Sequence, residues 1–93
     1  MSSWLYEDYI IRANAYVKSA ELRDTNGDFL SAKDAFLEAE EEFENAASQA
    51  LKDGDIFDND KALSLAKYAR CRAGNMLYKY DRACKENDKE REN

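Results

Sequence analysis

The sequence predicts an all-α fold, an antiparallel three-helix bundle, on three observations. Pro is absent and Gly occurs three times in 93 residues, so almost nothing interrupts a helix. Phe29, Ala32, Phe36, Ala39, Phe43, Ala46 and Ala50 follow one another at alternating spacings of three and four. That period draws an apolar seam down one side of a helix. The segments before and after carry matching seams, so each has a face to bury against the others. The expected bundle covers residues 1–85, and residues 86–93 form a polar, frayed tail.

The first helix is expected from about Ser3 to Asp24, with Ser3 as its cap. Its seam is Tyr9, Ala13, Tyr16 and Ala20, widened by Leu5, Ile10 and Val17. Trp4 is expected to close the end of the bundle. Asp24-Thr25-Asn26-Gly27-Asp28 then makes a turn, in which Gly27 takes a positive φ and Asp28 caps the next helix. Asp24, Asn26 and Asp28 match the first, third and fifth positions of an EF-hand loop. Phe29 stands where that loop needs Gly, and Ala35 where it needs a bidentate Glu, so no metal is expected.

The second helix runs from about Asp28 to Lys52. It carries Glu38, Glu40, Glu41, Glu42 and Glu44 opposite its seam, a solvated face or a docking surface for a basic partner. The next connection, residues 53–60, is acidic. Gly54 is expected to end the second helix, Asp58 or Asp60 to cap the third, and Ile56 and Phe57 to tuck over the open end. The third helix runs from about Lys61 to Lys85 or beyond. Its seam is Ala62, Ala66, Ala69, Ala73, Met76, Tyr80 and Ala83. Leu63, Leu77 and Cys84 widen it on one side, and Leu65 and Tyr68 on the other. So broad a face suits a helix that touches both others.

Charge pairs the helices. From Asp28 to Lys52 there are seven acids and two bases, and from Asp60 to Lys85 seven bases and two acids. The third helix is therefore the natural neighbour of the second, although exposed pairs select an arrangement more than they stabilise it. A net charge of −6 argues against nucleic acid or an anionic membrane as the main partner. The sequence has no run of about 20 apolar residues to span a bilayer, and the start lacks a signal-peptide pattern, so a cytoplasmic location is expected. Cys71 and Cys84 lie about 20 Å apart along one helix and cannot bridge within it, which suits reduced thiols.

Across the first two helices, Ala13, Tyr16, Ala20, Asp24, Phe29, Ala32, Phe36 and Ala39 fall without a gap on a small–aromatic pattern. In that pattern the chain resembles the MIT domain, the microtubule-interacting-and-transport module. The third helix departs from it: in Tyr80-Asp81-Arg82-Ala83-Cys84 the Tyr is one position late and the usual Glu is missing. The resemblance implies a three-helix bundle that binds a short peptide motif in a groove beside the third helix, in the family the tails of ESCRT-III-type membrane-remodelling proteins. Ala20, Gly27, Phe29, Ala32, Phe36 and Ala39 are also similar to a single tetratricopeptide motif.

The leading functional expectation is a non-enzymatic adaptor without cofactor. Leu65, Tyr68, Arg72 and Met76 would contact the peptide, and Glu38 and Glu42 would steer it. The alternative is a self-associating structural subunit, since six Tyr, four Phe and one Trp exceed what a small core needs. An enzyme is not expected, because there is no His, no Gly-rich phosphate loop and no Cys beside a plausible base.

Overall fold

A computed structural model describes residues 4–92. It contains three helices, α1 Trp4–Thr25, α2 Phe29–Lys52 and α3 Ile56–Glu92, and no strand among the described residues. Ser3, expected as the first cap, lies outside those residues.

Both turns are set by local chemistry. Gly27 adopts φ +80°, which lets Asp28 N–H return to the Arg23 carbonyl at 2.9 Å and Gly27 N–H to the Asp24 carbonyl at 3.0 Å. The Asp28 carboxylate accepts from Ser31 N–H at 3.4 Å, as a capping residue does. At the second turn Gly54 takes φ +76°, and Asp55 N–H returns to the Ala50 carbonyl at 2.9 Å. Here the sequence reading is corrected. Asp55, rather than Asp58 or Asp60, accepts from the Asp58 N–H at 3.0 Å. α3 therefore starts at Ile56, five residues before the expected Lys61.

The interior is stacked in three layers, each drawing on all three helices. Tyr6 packs with Ala46, Ala47, Ala50 and Ala62. Ala13 packs with Ala39, Phe43, Ala66 and Ala69. Ala20 packs with Ala32, Ala35, Phe36, Ala73 and Met76. Phe36, Phe43 and Met76 are the largest fully buried side chains; the rest of the core is mostly alanine. Small side chains let α2 lie close to both neighbours, whereas α1 and α3 approach each other in few places. Polar ties lock the helices. Asn59 donates to the Ala47 carbonyl at 2.8 Å, and Arg23 to the Ser31 carbonyl at 3.2 Å.

The α1 seam differs from expectation. Tyr6, Ala13 and Ala20, seven residues apart, are buried, whereas Leu5 and Tyr16 stay exposed. A seven-residue stripe runs almost along the helix axis, so it stays turned to the bundle interior from end to end. The ends are also barer than expected. Trp4 is 73 % exposed, Ile56 68 % and Phe57 78 %. They project from the first turns of α1 and α3, and nothing in the described chain reaches over them. At the other end α3 outruns its neighbours. Lys79 Nζ lies 2.9 Å from an Asp24 carboxylate oxygen and 5.9 Å from the Phe29 ring centroid. It thus marks where α1 ends and α2 begins. About 13 further residues, roughly 20 Å of helix, continue past that point within a molecule 61 Å long. Tyr80 keeps to the seam spacing but is exposed, because no partner helix remains at its level. α3 continues as helix through Glu92.

Candidate functional site

The six residues expected to bind a peptide fall on different sides of the molecule. α1 decides which. Arg12, Ala15, Tyr16, Ser19 and Arg23 line a cleft shared with Asp34, Ala35 and Glu38 of α2. That flank of α1 faces α2, and Ile10 and Val17, across the Ala13–Ala20 line, face α3. Ile10, Val17 and Leu65 are all half-buried and pack against the middle core layer. Together they form a half-buried apolar strip where α1 and α3 flank that layer.

Tyr68 and Arg72, three and seven residues after Leu65, lie beside this strip on α3. Arg72 donates to the Tyr68 hydroxyl at 2.7 Å and lies 3.7 Å from the Asp24 carboxylate. Its guanidinium sits 4.9 Å from the Phe36 ring centroid and 5.7 Å from that of Tyr68, distances at which a cation is attracted to a ring face. Held by a hydroxyl, a carboxylate and two rings, Arg72 is pre-aimed rather than freely rotating. Its fixed fork suits a carboxylate or a backbone carbonyl.

Met76 is buried in the core. Glu38 and Glu42 lie on the α1–α2 side. Glu42 accepts from Arg12 at 2.9 Å, and Arg12 also pairs with Asp8. The Glu42 hydrogen bond is the main reason the Arg12 guanidinium holds its proton more tightly than usual. The structure thus unites Leu65, Tyr68 and Arg72 and separates them from Glu38 and Glu42. Ile10 and Val17, expected to widen the α1 seam, do pack against the core and remain half-buried beside Leu65.

The expected pairing of α2 and α3 charges is seen at Arg70, whose Nε is 2.8 Å from Glu40. Other ion pairs run to α1: Arg12 with Glu42, and Lys79 and Arg72 with Asp24. The EF-hand-like carboxylates have local roles, since Asp24 takes Lys79 and Asp28 caps α2. Among the described residues no three His, Cys, Asp or Glu groups gather as a metal site, and no helix is long and apolar enough to cross a membrane.

Comparison with protein-family models, with curated proteins and with solved structures finds no match. The functional reading therefore rests on the chain's own residues.

One ionisation belongs to the core. Burial, then the nearby Asp58 and Asp55 carboxylates, pushes the Tyr6 phenol above its ordinary value of 10.0. The folded state therefore favours the neutral phenol. This contribution is fully present below about pH 10 and is lost as pH rises towards the folded-state value, because the unfolded chain ionises first. Thermal melts should show wild-type protein losing more stability as pH rises above about 10 than Tyr6→Phe. Equal losses would remove Tyr6 from the account.

Proposed function

We propose that this chain is a non-enzymatic protein-interaction module, an antiparallel bundle of MIT type, that takes a short peptide motif in a groove beside α3. The observation that supports the reading is the half-buried apolar strip beside a fixed cation. Ile10, Val17 and Leu65 are only half-covered, and Tyr68 lies beside them with Arg72 fixed alongside. An apolar strip with one oriented donor is what an aliphatic-anchored peptide needs.

The sequence likeness to MIT domains supports a partner of the ESCRT-III-tail class, and with it a place in membrane remodelling or protein transport. Titrating labelled protein with such tail peptides should shift the amide resonances of Leu65, Tyr68 and Arg72. Tyr68→Ala should weaken binding by roughly tenfold or more, as loss of an aromatic interface anchor does. Glu38→Gln, on the far side, should leave affinity unchanged. Folded protein whose spectrum ignores every peptide would sink the proposal.

A further inference from the structure

On the opposite flank of α3 the chain leaves six large aliphatic side chains uncovered. Leu30, Leu37 and Leu51 of α2 and Ile56, Leu63 and Leu77 of α3 are all exposed. On each helix they are separated by seven residues or fourteen, so each set forms a stripe along its helix. The position omitted is Glu44 on α2 and Arg70 on α3. Those two share with Glu40, Leu63 and Lys67 a shallow cleft between α2 and α3 to which α1 contributes nothing.

We propose that this α2–α3 face binds a second copy of this chain, stripe against stripe, with Glu44 of one copy facing the Arg70–Lys67 side of the other.

The choice of occupant follows from charge and period. At −6 per chain, two copies repel over most of their surfaces. On this face Lys67 and Arg70 stand beside Glu40 and Glu44, two cations to two anions, so the face is neutral and repulsion is least here. One stripe is interrupted by an acid and the other by a base. A two-fold axis that sets α2 of one copy on α3 of the other therefore brings opposite charges together, and the surface complements itself. A seven-residue period is that of helices packed along their length.

The size also fits. Two helices about 36 Å long and about 10 Å apart offer roughly 700 Å² per copy, close to an ordinary stable interface. Gly74 adds to the case. It sits in α3 three residues before Leu77, where a Cβ would meet nothing within 4 Å. No contact inside the monomer calls for Gly there, while a bare backbone leaves room for a partner's leucine.

The test is sedimentation equilibrium of the full chain from about 1 µM to about 1 mM, the range in which interfaces of modest affinity declare themselves. Wild type should fit a monomer–dimer equilibrium. Leu37→Glu with Leu63→Glu should raise the dissociation constant by about a hundredfold while helical circular dichroism is unchanged, since both residues are exposed. Glu44→Arg and Arg70→Glu should each weaken association alone, and their equimolar mixture should recover it. A strict monomer throughout the range overturns the proposal. So does a dimer indifferent to the leucine substitutions, or a mixture no tighter than its components.

Discussion

Phe36→Ala should lower the unfolding free energy by about 3–5 kcal/mol, the largest effect expected of any single truncation in this chain. Phe36 is fully buried in the layer formed by Ala20, Ala32, Ala35, Ala73 and Met76. Four of those five neighbours are alanines on helical backbone. They cannot rotate into the space a phenyl ring leaves, so the cavity stays open and the cost sits high in its range. Arg72 adds to the loss, because its guanidinium rests 4.9 Å from the ring centroid and would lose that attraction. For a domain whose total stability is on the order of 5–15 kcal/mol, the variant should be partly unfolded at physiological temperature. Urea titration followed by circular dichroism measures this through the midpoint, with the slope unchanged. Trp4→Ala, which removes a larger but mostly exposed ring, should move the midpoint by less than about 0.5 kcal/mol. A Phe36→Ala loss as small as that of Trp4→Ala would mean that the upper layer is not packed as described.

The same contrast shows what periodicity could and could not reveal. Spacing along one helix identifies the angle at which a side chain leaves it. That sufficed for Ala32, Phe36, Ala39, Phe43, Ala46 and Ala50, and for Ala62, Ala66, Ala69, Ala73 and Met76, all of which are buried. It does not tell whether another helix is present at that height. Tyr80 has the seam angle and is exposed because α2 has ended, and Trp4 and Phe57 are bare because the bundle stops beside them. Nor does spacing tell on which side a neighbour lies. Leu65 and Tyr68 lean towards α1, whereas Glu38 and Glu42 sit on the α1–α2 flank, so residues grouped by chemistry were parted by geometry. The start of α3 was missed for a local reason. Asp58 and Asp60 both offered a cap, but Asp55, next to Gly54, is the one that hydrogen bonds from Asp58 and to Ala50 hold in place. A signal for the outer α2–α3 face was present in the sequence. Leu30, Leu37 and Leu51, with Ile56, Leu63 and Leu77, keep a strict multiple of seven, beside seams that alternate three and four.

Enlarging the core should be nearly as harmful as hollowing it, and Ala39 is where this shows best. Ala39 is fully buried, as are Ala13 of α1 and Ala69 of α3 in the same layer. Each helix thus contributes a fully buried alanine to this layer, and Phe43 is its only large fully buried side chain. Ala39→Leu adds three carbons where no side chain can yield, since Ala13 and Ala69 have no rotamers to change. Room can come only from moving α1 or α3 away from α2, which loosens the Phe43 packing in that layer. The expected cost is about 3 kcal/mol, the upper end for overpacking, although leucine is a good helix former and burial alone would favour it. Leu37→Ala, two residues earlier on the exposed stripe, should change monomer stability by only a few tenths of a kcal/mol. Thermal melts of the two variants at one low protein concentration decide the matter, because dilution removes any contribution from association. If Ala39→Leu instead raises the melting temperature, the helices are farther apart at this layer than three facing alanines imply, and the alanine seam would not set the spacing of the bundle.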